Sequence, residues 1–433
     1  MSPDIVGIIC VAVMLILIFL GVWVGTAMLV AGFLGFVYLE GFFRAFTILG
    51  TEAYSQIASY VFACVPLYIL MGIVVSKTGI AGDLYNTANK WVGSIRGGLA
   101  LATTVACGSF AAICGSSDAA AAAMGRVAYP EMVKFGYDKR LASACIAAGG
   151  SIGILIPPSL GFIMYGLLTE QSIGRLYMAG FIPGILEVIL YGVTIYIMCS
   201  FKPSLGPAAP KSDFKEKVYS LKGTWAMLLL FLFVIGGIYT GIFTPTEAGA
   251  LGAFGAIAIS LISKKLTRTN FSESVRDALQ ITAMIVLLIT GAFVFMRLLA
   301  VSRLPGMLSD YVIGLEVSTS VIVLCIIFFY IIIGTFWDIF AGMILTLPLI
   351  FPVIQMAGLD PIWFGVIIVK CMEIGLITPP FGLNVFILSS SSSIPVKTIF
   401  AGVWPFILAD IVHLTILVTI PQVTLFLPGI MGH

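Results

Sequence analysis

Two diproline pairs interrupt long apolar stretches of the sequence. The pair Pro157–Pro158 follows Gly153, and the pair Pro379–Pro380 follows Gly375 at the same distance along the chain. In hydrocarbon, helix backbone that has lost a donor survives only where protein, water or an ion satisfies the freed carbonyl. The matched pairs therefore predict two broken membrane helices, one in each half of the chain, an arrangement typical of the midplane sites of secondary transporters.

Each proline removes its own N–H, so the carbonyl four residues upstream loses its helical donor. The first pair is expected to free the carbonyls of Gly153 and Ile154, and the second those of Gly375 and Leu376. Such carbonyls offer oxygen ligands to a cation. The N-terminus of the half-helix after each pair would attract an anion.

Composition places the chain in a membrane. Its residues are 60% hydrophobic and 10% charged, whereas soluble domains carry roughly 25% charged residues. No basic patch indicates a nucleic-acid partner, and the eight cysteines form no C-x-x-C or Cys/His cluster that would indicate a metal centre. Residues 1–4 lack the basic segment of a signal peptide, so we expect the first helix to be retained.

The diproline pairs belong to a longer internal repeat. The spacing that separates Gly153 from Gly375 also separates Gly136 from Gly358, Asp138 from Asp360, and Pro130 from Pro352. We therefore divide the chain into a first repeat at 1–200, a linker at 201–223 and a second repeat at 224–433.

Basic residues flank both ends of the apolar segment at 97–125 and fill the linker, so we place these regions on the cytoplasmic side. The segment at 97–125 is then a re-entrant hairpin. Five crossings and one hairpin per half invert the second half, whose hairpin is predicted at 317–351. The broken helices are predicted at 140–168 and 362–390. The predicted fold is an all-α polytopic membrane protein with two inverted-topology repeats.

Each predicted hairpin carries small, hydroxyl-bearing and acidic residues near its tip. The first contains Ser116, Ser117 and Asp118, and the second contains Thr335 and Asp338. Carboxylate, hydroxyl and carbonyl oxygens suit a hard cation such as sodium better than a transition metal. The alternative for either aspartate is a helix N-cap without a role in transport.

Other charges lie inside the apolar segments. Lys370 and Glu373 are three residues apart and predict an ion pair within one helix. Glu187, Glu247 and Asp410 are expected to form hydrogen bonds between helices.

Several motifs resemble one family of membrane transporters. They are Pro66–Gly72, Gly115–Ala119, Pro130–Met132 with Gly136–Asp138, Gly153–Ser159, Ala179–Gly184, Glu373–Pro380 with Gly382–Asn384, and Leu427–Pro428. Together they cover nearly the whole chain. Their pattern is similar to the large membrane subunit of tripartite ATP-independent periplasmic (TRAP) transporters.

This resemblance implies a function. It implies sodium-coupled uptake of an organic acid anion, of the sialic acid or C4-dicarboxylate type, across a bacterial inner membrane by an elevator mechanism. It also implies two protein partners, a small four-helix membrane subunit and a periplasmic binding protein that delivers the substrate. We expect two or more sodium ions per substrate, because one sodium only cancels the charge of a monocarboxylate.

Carried over to this sequence, the resemblance implies specific site residues. The substrate is expected to contact Ser116, Ser159, Asp338 and Asn384. One sodium ion is expected near Ser116, Ser117, Gly153 and Pro157. A second is expected near Gly334, Thr335, Asp338, Gly375 and Thr378.

Three rival interpretations carry less support. A stand-alone sodium/anion symporter of similar fold needs no binding protein, and only the family motifs argue against it. An intramembrane aspartyl protease would need Asp118 and Asp338 to share a proton, which leaves the repeat and the broken helices unexplained. A passive channel lacks a filter sequence or a ring of charges. We therefore do not expect an enzyme.

Overall fold

The computed structural model describes residues 1–209 and 212–430. Within these residues every regular element is helical. Six helices are long and apolar enough to cross a membrane, or eight if each of two bent helix pairs counts as one span. The protein is therefore an all-helical, multi-pass membrane protein.

The first half and the linker contain helices α1 to α11. Their bounds are α1 Pro3–Phe19, α2 Val24–Glu40, α3 Phe42–Ile57, α4 Cys64–Lys77, α5 Ile80–Val92, α6 Gly98–Cys114, α7 Ser117–Lys134, α8 Lys139–Ser151, α9 Leu160–Thr169, α10 Ile173–Phe201 and α11 Phe214–Ser220. Short 3-10 turns lie at Ile152–Ile154, Pro203–Leu205 and Leu221–Gly223.

The second half contains the remaining helices. Their bounds are α12 Trp225–Tyr239, α13 Pro245–Ile262, α14 Arg268–Ser302, α15 Leu304–Gly314, α16 Thr319–Phe336, α17 Ile339–Met356, α18 Pro361–Ile377, α19 Leu383–Ser392, α20 Val396–Thr419 and α21 Gln422–Ile430.

Helices α6 and α7 form a hairpin whose two ends lie together. The Gly97 amide donates to the carbonyl of Gly206, and the Asp138 amide donates to that of Leu205, both at 3.0 Å. The Leu99 amide donates to the Tyr137 hydroxyl at 3.0 Å. Two adjacent linker residues thus join the start and the end of the hairpin. Its second arm continues to residue 134, beyond the predicted end at 125.

Helices α16 and α17 form the corresponding hairpin of the second half. They meet at Trp337 and Asp338. Thr346 on α17 donates a hydrogen bond of 2.8 Å to the hydroxyl of Tyr330 on α16, which fixes the two arms against each other.

The diproline segments separate α8 from α9 and α18 from α19. Both Pro–Pro peptide bonds are cis. Asp138 caps α8 by accepting from the amides two and three residues ahead, and Asp360 caps α18 in the same way. These two aspartates are equivalent positions of the sequence repeat, so the repeat extends to local hydrogen bonding.

Each broken helix packs against the first arm of its hairpin through a glycine. A Cβ atom at Gly153 would lie 2.6 Å from the Ala112 amide nitrogen, and one at Gly375 would lie 2.2 Å from the Gly334 carbonyl carbon. Ala112 and Gly334 are again equivalent positions of the repeat. Both halves therefore make the same backbone contact, which only glycine at the break allows.

Short helices also occur in the connections and in the linker. Helices α3 and α15 are short connections, and α11 lies inside the predicted linker. Linker residues 210 and 211 lie outside the described residues, as do 431–433 of the predicted second repeat. The linker helix packs on α5, where Lys90 pairs with Glu216 at 2.9 Å and the Trp91 indole donates to the Lys217 carbonyl.

Candidate functional site

A cavity of about 530 Å³ lies between the two hairpins and helices α4 and α14. Its polar lining consists of Ser76, Lys77, Ser116, Ser117, Asp118, Asp277, Gln280 and Asp338. Most of its other lining side chains are isoleucines and leucines. An apolar cleft with a few convergent polar groups is the usual form of a small-molecule site.

The tip of each hairpin places a carboxylate at the start of a helix. Ser116 is the N-cap of α7 and accepts from the Ala119 amide, and Asp118 follows in the first turn. Asp338 is itself the N-cap of α17 and accepts from the Ala341 amide at 3.0 Å. The Asp338 carboxylate therefore caps a helix and lines the cavity at the same time.

A second cavity of about 410 Å³ adjoins the first. Asp118, Asp338 and Phe340 line both. The two carboxylates thus lie where the two cavities meet.

The structure brings together two of the four predicted substrate residues. Ser116 and Asp338 line the cavity. Ser159 is fully buried and caps α9 through the Phe162 amide. Asn384 is fully buried and its Nδ2 donates to the Ala147 carbonyl at 3.4 Å. Ser159 and Asn384 are not part of the described cavity lining, because both side chains point into helix packing.

The first predicted sodium site collects backbone oxygens beside a hairpin tip. A Cβ atom at Gly115 would lie 3.5 Å from the Pro158 carbonyl oxygen, so the tip lies against the diproline segment. Ser117 donates to Asp118 at 3.3 Å. Among the described residues, the carbonyls of Gly153 and Ile154 accept no protein hydrogen bond. These buried oxygens fit a hard cation.

At the second predicted sodium site, backbone amides already donate to two of the carbonyl oxygens. The Gly382 amide donates to the Thr335 carbonyl at 3.3 Å, and the Thr378 amide donates to the Gly375 carbonyl at 3.0 Å. The expectation that the diproline pair frees the Gly375 carbonyl is therefore wrong, because a tighter turn supplies a donor. Gly334 and Gly375 still lie in contact, so this set is close together in space.

Comparison with known proteins gives the family. Residues 11–423 match the family described as the DctM component of the tripartite ATP-independent periplasmic transporters. The chain belongs to this family.

Individual relatives agree with the assignment. The chain is 35% identical to the C4-dicarboxylate TRAP transporter large permease protein DctM of Pseudomonas aeruginosa, over 89% of this chain and 90% of that one. It is 33% identical to the sialic acid large permease SiaM of Vibrio cholerae, over 86% and 87% of the two chains. These relatives are transporter components, so this TRAP permease is not an enzyme.

A solved structure supports the fold alone. The YdaH transporter of Alcanivorax borkumensis superposes with a TM-score of 0.64 at 14% identity, over 91% of this chain and 90% of that one. The TRAP permease therefore shares its overall architecture with a transporter of distant sequence.

Away from the cavity, the permease contains a sealed cluster of charges. Lys370 contacts Glu187 and Asp410 at 2.8 Å and Glu373 at 3.4 Å, and all four side chains are fully buried. Tyr191 donates to Asp410 at 2.7 Å. The predicted pair within α18 exists, but the shorter contacts run to α10 and α20. Glu247 differs from the prediction, since it forms a capping box with Thr244 at the start of its own helix.

Sequence reasoning missed one group of the cavity lining. Lys77 at the end of α4 contacts Asp277 at 2.8 Å and Glu273 at 3.1 Å, both on α14. In the sequence, Lys77 is one of many basic residues after an apolar segment, and its partners lie in the other half of the chain. Only the packing of α4 on α14 shows that they meet.

Proposed function

We propose that this TRAP permease moves an organic acid anion across the bacterial inner membrane together with two or more sodium ions. The observation that carries the proposal is that Asp118 and Asp338, from the tips of two repeat-related hairpins, line one cavity. An anion enters such an acidic cavity only if cations accompany it.

Sodium coupling follows from this electrostatic argument and from the oxygens at the tips. The hydroxyls of Ser116 and Ser117 and the carbonyls of Gly153 and Pro157, with the Ile154 carbonyl between them in sequence, would supply hard ligands for one ion. Asp338, with Gly334, Thr335 and Thr378, would supply ligands for a second, without the Gly375 carbonyl, which already accepts from the Thr378 amide. Moving one negative charge into a negative interior costs about 2.3 kcal/mol per 100 mV, so at least two sodium ions make the uptake of a monocarboxylate concentrative.

The substrate is a carboxylate. Relatives at 35% and 33% identity are named for C4-dicarboxylates and sialic acid. Both are organic acids, and the carboxylate is the group that they share. Ser116 and Asp338 would contact the bound substrate, together with its sodium ions.

We extend the proposal to the transport cycle. The two halves are inverted repeats that meet at the midplane, with residues 201–223 on the cytoplasmic side. The block of α6 to α9 and α16 to α19 would move as an elevator against the remaining helices. The contacts of Gly153 and Gly375 with their hairpins support this, since they bind each hairpin to its broken helix as one unit.

Two partners complete the proposed system. A small four-helix membrane subunit pairs with this chain, and a periplasmic binding protein delivers the substrate. The family's description as tripartite supports both partners. A stand-alone symporter, in contrast, would take up substrate as this chain alone in proteoliposomes.

The decisive experiment separates the charge of Asp338 from its role as a cap. Asparagine is as good an N-cap as aspartate, so Asp338→Asn keeps the capping interaction and removes the carboxylate. We expect Asp338→Asn and Asp338→Ala both to abolish sodium-driven uptake of labelled succinate or N-acetylneuraminate in proteoliposomes with both partners, while the protein still folds. Wild-type uptake by Asp338→Asn, or uptake that does not depend on sodium, would refute the proposal.

A further inference from the structure

The charge of the cavity lining is strongly unbalanced. Among the described lining residues three are acidic, Asp118, Asp277 and Asp338, and Lys77 is the one basic residue. The adjoining cavity adds no basic residue to its described lining. An anion in this space would meet the proposed sodium ions at the hairpin tips and a single ammonium group, that of Lys77, elsewhere in the described lining.

Lys77 lies within reach of the tips. On the same helix, a Cβ atom at Gly72 would lie 2.4 Å from the Cys114 carbonyl oxygen, so α4 touches the first hairpin there. Lys77 is five residues further on, about 7.5 Å along the helix axis. Lys77 and both hairpin tips line the same cavity, so a small organic acid in it can contact a tip with one end and the ammonium with the other.

The ion pairs of Lys77 are open to exchange. Its side chain is 25% exposed, and those of Asp277 and Glu273 are 44% and 56% exposed. Ion pairs in contact with water contribute little, because water and other ions compete for both partners. A carboxylate that enters the cavity can therefore take the place of Asp277 on the ammonium at small cost.

We propose that Lys77 binds the anionic group of the substrate at the open end of the cavity. Asp277 and Glu273 hold the ammonium in position, and the substrate anion displaces them from it when it binds. This inference rests on the proposed function and adds a selectivity residue for anions to it.

Substitutions on the two sides of this ion pair should have opposite effects. Lys77→Gln removes the charge, and we expect about tenfold weaker binding, as for the loss of one hydrogen bond to a charged group. Lys77→Arg should bind nearly as the wild type does. The double variant Asp277→Asn/Glu273→Gln frees the ammonium, and we expect about threefold tighter binding. If the ion pair were purely structural, Lys77→Gln and the double variant would change substrate binding in the same direction.

The measurement is titration of the purified full chain in nanodiscs with succinate and with N-acetylneuraminate at fixed sodium concentration. Lys90→Gln is the matched control, because it breaks a lysine–glutamate pair outside the cavity and should leave binding unchanged. Thermal unfolding of each variant shows whether it folds.

The outcomes are distinct. Unchanged binding in Lys77→Gln, or weaker binding in the double variant, overturns the inference but leaves the proposed function in place. If Lys77→Gln does not fold, the double variant alone decides by the sign of its effect. If the wild-type protein bound neither acid, and neither was taken up with sodium in proteoliposomes that contain both partners, the proposed substrate class would be rejected, and the inference with it.

Discussion

Among the residues that the structure describes, Lys370 and Lys77 each contact more than one carboxylate, and the two clusters differ in how far their side chains are exposed. Around Lys370, three carboxylates from α10, α18 and α20 are fully buried. Around Lys77, two carboxylates of α14 are about half exposed, and one of them, Asp277, lines the cavity. Buried charges must be compensated within the fold, whereas charges in contact with solvent can exchange partners. We infer that the first cluster joins the two halves of the chain and that the second handles ligands.

The largest effect on stability is expected from Lys370→Met. It leaves three buried carboxylates without their common cation, and breaking a buried pair in this way costs about 3–5 kcal/mol. We expect a strongly lowered unfolding temperature in detergent and loss of uptake through loss of folded protein. A variant that unfolds like the wild type would show that the cluster does not hold the halves together.

A variant in which the whole Lys370 cluster is uncharged tests the same comparison further. Lys370→Met combined with Glu187→Gln, Glu373→Gln and Asp410→Asn removes both the cation and the charges that it compensates. Replacing a buried ion pair by hydrophobic residues of similar volume is often neutral in stability or stabilising, and an uncharged amide costs much less to bury than an unpaired carboxylate. We therefore expect the combined variant to recover at least about half of the stability that Lys370→Met loses, measured by the same thermal unfolding.

At the cavity, we expect a substitution to reduce uptake while it leaves stability nearly unchanged. Asp118→Asn removes a carboxylate that borders two cavities and whose hydrogen bond within the described residues comes from Ser117. The stability should change by less than about 1 kcal/mol, because no buried cation loses its partner. Sodium-driven uptake should nevertheless fall, and sodium titration of uptake is the readout. Full uptake with wild-type sodium dependence would remove Asp118 from the site.

The smallest effect is expected from Lys265→Gln. Lys265 pairs with Asp83, and both side chains are about one-third exposed. Such pairs contribute about 0–1 kcal/mol, so unfolding temperature and uptake should stay close to those of the wild type. A large loss in either would mean that exposure is a poor guide to the role of a lysine in this protein.

The sequence predicted the repeated elements well because their signals are local. Each diproline pair interrupts its predicted helix. Asp138 and Asp360 cap the starts of α8 and α18, the helices that end before the two pairs. The tip residues Ser116 and Asp338, which line the cavity, could be selected for the same reason, because small and acidic residues at a helix start stand out in an apolar segment. Helices α3 and α15 were missed because short connecting helices carry no clear apolar run.

What the sequence could not predict depends on rotation about a helix axis and on distant packing. Ser159 and Asn384 belong to the broken helices, but the Ser159 hydroxyl caps its own helix and the Asn384 side chain donates to the Ala147 carbonyl, and neither is part of the described cavity lining. The partners of Lys370 are 183 and 40 positions away, and no local pattern connects them. The Gly375 carbonyl was expected to be free because Pro379 removes its usual helical donor. The sequence does not reveal that a tighter turn supplies another donor, the Thr378 amide.

The hydrogen bonds of Leu205 and Gly206 to the base of the first hairpin have a consequence for biogenesis. These two residues leave the ribosome after the whole of the first repeat, so the two backbone hydrogen bonds that they accept at the base of that hairpin form only after they have been synthesised. Completion of the first half therefore waits for the start of the linker. A gene divided before codon 205 would separate the hairpin from its closing residues, whereas one divided after codon 223 would keep them on the same polypeptide.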